Sequence, residues 1–341
     1  MSRTERRIFL GLATLWSLAF CNFWRWWLQV EHVLTWPDMI LVSLLIAWYL
    51  LLPTYYFYFA GRMRQPNPRL TLSSDWRVAM VVTKAPSEPW PLVQTTLRAM
   101  LAQSYPHDTW LADEDPQPET LAWCSDHGVQ VSSRRNVSDY HQPTWPRRTR
   151  CKEGNLAYFY DTYGYDRYDI VAQLDADHVP QPGYLTAMLR GFVLPSVGYV
   201  AAPSMCHANA ANSWLARART FVEGSLHGSL QAGYNSGWAP MCIGSHYAVR
   251  TRALKEIGGL GPELAEDHST TLMMTAHGWR GVFALNARAD GEGPACYVDF
   301  LVQEFQWSRS LTMLLLTVPP AYWPQLRLRH KVQFLFAQLW Y

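Results

Sequence analysis

Charge is scarce in this sequence. Of 341 residues, 29 are Lys or Arg and 27 are Asp or Glu, a formal balance of +2. That balance carries no basic footprint for a nucleic-acid partner. The six cysteines (Cys21, Cys124, Cys151, Cys206, Cys242, Cys296) form no C-x-x-C pair and no metal-finger spacing, so a reduced, cytosolic setting is the plainer reading for most of them. Residues 29–38 contain neither Lys nor Arg. No small-residue cleavage site follows the first apolar run, which argues against a signal peptide. In place of charge the chain has 17 tryptophans and 18 tyrosines, aromatics that gather at membrane interfaces.

Two apolar runs, residues 8–24 and 39–60, are each close to the ~20 residues that cross a bilayer. A signal peptide is the alternative for the first, and a buried soluble helix for the second. Arg3, Arg6 and Arg7 precede the first run, and Arg62, Arg64 and Arg69 follow the second. The positive-inside rule then puts both the N-terminus and everything after Arg62 in the cytoplasm. Trp24, Trp26 and Trp27, around Arg25, fall at the outer interface. The expected organisation is two membrane helices over 1–61 and a linker over 62–75.

From residue 76 the pattern alternates. Strands are expected at 77–82, 109–112, 129–132, 169–174, 198–202, 242–249 and 281–285. Helices are expected at 91–103, 118–127, 152–160, 184–194, 212–230 and 266–277. This alternation predicts an α/β domain, residues 76–298, with a mostly parallel sheet covered on both faces. Residues 299–320 follow as an amphipathic segment suited to a membrane surface, stopped by Pro319 and Pro320. A last apolar run, 332–341, is about half a span; it reads as the start of a further membrane segment (321–341) in a longer protein.

The strand at 169–174 ends in Asp175-Ala176-Asp177. In an open α/β sheet the ligand lies beyond the carboxyl ends of the strands, and residues two apart in extended chain point the same way. Two such carboxylates suit a hard divalent cation carrying phosphates; a solvated turn is the alternative. Glu266-Asp267 begins a helix, where acids are also favoured by the macrodipole alone. Gln303 and Trp307 are one helical turn apart, on a shared face. For Cys242, His246 and His178, a small buried thiol and hydrogen-bonded imidazoles are the plainer readings.

Taken in order, these segments resemble the membrane-integrated, processive family-2 glycosyltransferases of the cellulose synthase and hyaluronan synthase type. Asp113-Glu114 stands where that family contacts the nucleotide base. Lys152-Glu153-Gly154-Asn155 is similar to its K-A-G-N segment near the diphosphate. Asp175-Ala176-Asp177 matches its D-x-D motif, Gly244-Ser245 the pair beneath the acceptor, Ala265-Glu266-Asp267 its T-E-D motif, and Gln303 to Trp307 its Q-x-x-R-W. The resemblance implies a nucleotide-sugar-binding, Rossmann-like fold of the GT-A type and an inverting transfer with Asp267 as general base. Asp113, Glu114, Lys152, Asn155, Asp175 and Asp177 would bind the donor, most simply UDP-glucose. Mg²⁺ or Mn²⁺ would sit on Asp175 and Asp177. Gly244, Ser245, Glu266, Gln303 and Trp307 would hold the acceptor glycan.

Two departures stand out. Gln306 replaces the family's arginine, with Arg309 expected to substitute at the diphosphate. The loop Thr83 to Pro89 also lacks the tyrosine expected to stack on uracil. The implied protein is a multi-pass enzyme of the inner (cytoplasmic) membrane, its catalytic domain in the cytoplasm, in contact with membrane lipid and open to accessory synthase subunits. A single-sugar transferase acting on a lipid acceptor, or a catalytically inactive synthase subunit, are the rival readings.

Overall fold

A computed structural model describes residues 2–339. It begins with α1 (Arg3–Trp27) and α2 (Trp36–Ala60). Ser2 caps α1, accepting from the Glu5 N–H while the Glu5 carboxylate accepts from the Ser2 N–H, and Thr35 caps α2. The two helices form an antiparallel hairpin. Phe9 and Trp16 pack on Phe57, and Trp27 Nε1 donates to Ser43 Oγ at 2.9 Å. Both are long and apolar enough to cross a bilayer, and their most apolar stretches are not buried within the structure.

The chain then gives β1 (Val78–Lys84), α3 (Trp90–Leu101), β2 (Asp108–Asp113), α4 (Pro118–Asp126), β3 (Gln130–Ser133) and α5 (Lys152–Phe159). It continues through α6 (Tyr165–Arg167), β4 (Ile170–Leu174), β5 (Val179–Pro180), α7 (Tyr184–Leu189), β6 (Val197–Ala201) and β7 (Ser204–Met205). Next come α8 (Trp214–Gly224), α9 (Gln231–Tyr234), β8 (His246–Arg250), α10 (Thr251–Glu256) and α11 (Glu266–Ala276). The last elements are β9 (Arg280–Phe283), β10 (Ala289–Asp290), α12 (Tyr297–Tyr322) and α13 (Leu328–Leu339).

Seven strands form one sheet in the order β3-β2-β1-β4-β8-β6-β9. All neighbours run parallel except β8, which is antiparallel to both β4 and β6. Alternate residues of β1 serve opposite faces. Val78, Met80 and Val82 meet α3 and α7 through Leu97, Met100 and Leu185. Ala79 and Val81 meet α5 and α11 through Leu156, Phe159, Met273 and Met274. This is the expected α/β architecture with both sheet faces covered. A second small sheet, β5-β10-β7, had no signature in the sequence, because its strands have two residues each.

Three differences from expectation have a local physical cause. The strand expected at 242–249 starts only at His246: the N–H groups of Cys242 and Gly244 are taken by Thr271 Oγ1 and Asp267 Oδ2 and so cannot join the ladder. The helix expected over 212–230 passes into a π-helical turn, Ser225–Leu230, before α9. Pro319 and Pro320 do not stop α12. The chain keeps its helical path to Tyr322, and the Trp323 N–H closes back on the Pro319 carbonyl. The last two residues of the expected 332–341 run lie outside the described residues. The part within them belongs to α13, where Phe334 is buried and Gln333 bonds the Ala239 backbone on both sides.

Candidate functional site

The carboxyl ends of β1, β2 and β4 open on one edge of the sheet, where antiparallel β8 begins. Asp175 and Asp177 follow β4 directly. The turn between them is pinned from two sides: the Asp175 N–H donates to Ser245 O (2.8 Å), and Thr96 Oγ1 donates to Ala176 O (2.6 Å). Asp177 Oδ1 bonds His178 Nδ1 at 2.8 Å, and His178 Nε2 meets Ser204 Oγ at 3.1 Å. Burial opposes the Asp177 charge, but the His178 contact outweighs it and holds the carboxyl below its ordinary range. Burial pushes Asp175 upward against the pull of Lys152.

Lys152, the first residue of α5, joins the two halves of the site. Its Nζ lies 2.9 Å from Asp175 Oδ1 and 3.4 Å from Glu266 Oε1, and it donates to the Gly244 carbonyl. Burial works against its charge, yet Asp175 and Glu266 raise its pKa above that of an ordinary lysine. On the other side of the same loop, the Gly244 N–H donates to Asp267 Oδ2 at 2.8 Å. The two peptide groups flanking the Gly244 Cα are thus held one by the cation facing Asp175 and the other by the acid at the start of α11. Burial, with Asp267 and Asp175 nearby, pushes the Glu266 carboxyl up to about 8 against the pull of Lys152. Ser245 Oγ is buried and makes no hydrogen bond among the described residues.

Lys152, Asp175, Asp177, Gly244, Ser245, Glu266 and Asp267 therefore come together. Asp113 lies at the end of β2, buried, with Lys84 Nζ at 3.3 Å. Glu114 and Asn155 stand behind the site and have other partners. Glu114 accepts from Arg134 Nη2 (2.9 Å) and from the Arg150 N–H (2.6 Å). Asn155 accepts from Arg134 Nε (2.6 Å) and donates to the carbonyls of Lys84 and Ala112, which end β1 and β2. In this structure both organise the 134–150 loop and the strand ends.

On α12, Gln303 and Trp307 share the inward face with Ser310, whose Oγ accepts from the Ala265 N–H at 2.9 Å, just before Glu266. Arg309 does not join them. Two residues past Trp307 is about 200° around a helix, so Arg309 is exposed on the far side, and Gln306 is exposed as well. The expected substitution of Gln306 by Arg309 is thereby corrected.

Two residues escaped the sequence reading. Glu88 is half-buried; burial and the nearby charges of Asp175 and Asp177 raise its pKa. It sits in the loop read only for its missing tyrosine. Arg219 reaches from α8 to Gln303, Glu304 and Trp307; a single arginine on a polar helix gives no sequence signal.

Residues 76–312 match the family described as Glycosyltransferase like family 2. The chain is 25% identical over 354 residues to cellulose synthase 1 catalytic subunit (UDP-forming) of Komagataeibacter xylinus, covering 98% of this chain and 45% of that one. It is 24% identical over 289 residues to the cellulose synthase catalytic subunit (UDP-forming) of Xanthomonas axonopodis pv. citri, covering 81% and 37%. The chain thus spans less than half the length of these relatives. Among solved structures, a mannosyltransferase from Pyrobaculum calidifontis in complex with GDP-Man and Mn²⁺ superposes with a TM-score of 0.61 at 16% identity, covering 88% of this chain and 81% of that one. The shared architecture is the GT-A fold.

Proposed function

The chain belongs to glycosyltransferase family 2, and from that premise we propose that it is a membrane-bound, inverting transferase that moves glucose from UDP-glucose onto a growing β-linked glucan. The observation that carries the reading is the Gly244 backbone, whose carbonyl accepts from Lys152, which faces Asp175, and whose N–H donates to Asp267. A donor site and an acceptor site meet across one loop. The UDP-forming relatives support a uridine donor.

Asp175 and Asp177 fit a divalent cation. Each has one oxygen paired, to Lys152 or to His178, and a second outside those pairs. No group of three or more His, Cys, Asp or Glu surrounds a cation position among the described residues. That suits Mg²⁺ or Mn²⁺, which takes one or two carboxylates and completes its shell with phosphate and water. When bound, the ion supplies Lewis-acid charge to the diphosphate oxygens.

The remaining work belongs to the chain. Lys152 adds fixed positive charge beside the departing diphosphate. Asp267, oriented by the Gly244 N–H, takes the proton of the acceptor hydroxyl as that oxygen bonds the anomeric carbon and the bond to phosphate breaks. A single displacement inverts the anomeric configuration. Trp307 offers its ring to the apolar face of the acceptor sugar and Gln303 its amide to a hydroxyl. The α1–α2 hairpin, with the outward Tyr297, Val298, Leu301, Val302 and Phe305 of α12, would set the domain against the cytoplasmic face of the membrane.

The test is the chain in nanodiscs with a panel of nucleotide sugars, following nucleoside diphosphate release and product length. UDP-glucose with Mg²⁺ or Mn²⁺ should give release and long glycan. EDTA should abolish it, and Asp177→Ala and Asp267→Asn should each lower it about 10²–10⁴-fold. Single additions to a lipid would replace the polymer reading. No release with any donor would favour an inactive subunit, a second reading motivated by the exposed Gln306 and the averted Arg309.

A further inference from the structure

We infer that Arg219 is the positioning residue of the acceptor side, setting the Trp307 ring and the Gln303 amide. The inference rests on the reading that Trp307 and Gln303 hold the acceptor.

Arg219 is only 7% exposed and lies between α8 and α12. Its Nη2 donates to Gln303 Oε1 at 3.1 Å and to Glu304 Oε1 at 2.6 Å. Its guanidinium carbon is 4.9 Å from the centroid of the Trp307 ring and 5.1 Å from that of Phe300. One planar cation therefore meets positions 300, 303, 304 and 307, a single helical face. Ser310 continues that face to the start of α11, so whatever fixes Trp307 fixes it relative to Asp267. Neither Gln306 nor Arg309 reaches this face.

The other end of α8 is anchored too. Glu223, one turn beyond Arg219, accepts from the Cys206 N–H at 2.7 Å. Cys206 directly follows β7, whose Ser204 holds His178 beside Asp177. The helix thus runs from the Asp177 side of the site to the Trp307 side. Arg219 Nε is buried and unpaired among the described residues. A buried ion pair is weak evidence for stability, since apolar residues of similar volume usually serve as well. A guanidinium that stacks on aromatic rings while its fork bonds side-chain oxygens serves orientation better than any apolar group.

The experiment compares the wild-type chain with Arg219→Gln and Arg219→Lys in nanodiscs, varying a soluble β-glucan oligosaccharide at saturating UDP-glucose, and then the donor at saturating oligosaccharide. Arg219→Gln should raise the oligosaccharide KM about tenfold, the scale of one charge-assisted hydrogen bond, with the donor KM within twofold. Arg219→Lys, which keeps the charge but not the fork, should fall between. If Arg219→Gln does not fold, Arg219→Lys reads the same ratio. An oligosaccharide KM within twofold of wild type, or a fall in kcat with both KM values unmoved, would leave Arg219 as a structural strut and overturn the inference. If the wild type releases no nucleotide, the transferase reading fails first. Calorimetric oligosaccharide binding then decides this point: equal affinity in wild type and Arg219→Gln overturns it, and a tenfold loss sustains it.

Discussion

Arg134 has five N–H groups, and each finds an acceptor: Asn155 Oδ1, the carbonyls of Tyr140, Arg148 and Cys151, and Glu114 Oε2. The side chain is 1% exposed. The 134–150 loop is folded around this one guanidinium, and Gly154 explains why a glycine follows Lys152 and Glu153. A Cβ there would stand inside van der Waals contact with the Arg134 guanidinium and the Arg148 carbonyl. Gly154→Ala should therefore cost about 1–3 kcal/mol by overpacking. Arg134→Ala, which strips Glu114 of its cation, should cost about 3–5 kcal/mol. Limited proteolysis checks both: faster cleavage within 134–150 is expected, and wild-type resistance in both variants would refute the hub. The Lys-Glu-Gly-Asn motif stood out in the sequence, and Lys152 does lie beside Asp175. The roles of Gly154 and Asn155 were not legible, because the partner that defines them lies some twenty residues upstream and comes into contact only through the fold. Arg219 was hidden for the same reason, since its partners are on α12.

At the scale of elements, strong periodicity was readable and local competition was not. The near-continuous apolar runs of β1, β2 and β4 located those strands closely, because a doubly covered sheet demands apolar residues on both faces. Cys242 and Ile243 extend the apolar run of β8 backwards, but the N–H groups of Cys242 and Gly244 are drawn out of the ladder by side chains of α11. Nothing in the sequence announced how α2 meets the domain. Phe59, 1% exposed, is packed edge-on against Tyr55, Tyr234 and Trp238. Tyr55 and Tyr234 share a hydrogen bond of 2.8 Å above it. Gly233 of α9 makes the approach possible, since a Cβ there would lie 2.6 Å from Phe59 Cβ. Beyond α2, the Arg64 N–H donates to Ala232 O, and Asn235 bridges Arg64 to Phe283 at the end of β9. The second apolar helix is thus welded to the sheet. Phe59→Ala should cost about 3–5 kcal/mol, and Gly233→Leu should separate the two elements. Both variants should lower the thermal midpoint in detergent, and an unchanged midpoint would mean that α2 and the domain are independent.

For the whole molecule, the proposed function makes the α1–α2 hairpin a membrane anchor, and the decisive question is which way it would thread the bilayer. The hairpin brings the start of α1 beside the end of α2, as the Phe9 contact with Phe57 requires, so the N-terminus and the catalytic sheet share one side. Arg3, Arg6 and Arg7 stand at that side with Arg62, Arg64 and Arg69, while residues 29–38 at the opposite end have no Lys or Arg. Charge asymmetry across short loops sets orientation, and here every arginine flanking the hairpin but Arg25 is on the catalytic side. In the proposed function the donor is a nucleotide sugar from the cytoplasm, so the same orientation would give Asp175 and Lys152 access to it. With the accessible Cys21, Cys151, Cys206 and Cys296 replaced by Ser as background, Val33→Cys should react with a membrane-impermeant maleimide in intact cells, and Thr4→Cys should react only after lysis. The reverse pattern would place the GT-A domain outside, away from its donor, and the proposed transfer could not run in the cell whatever the purified chain does.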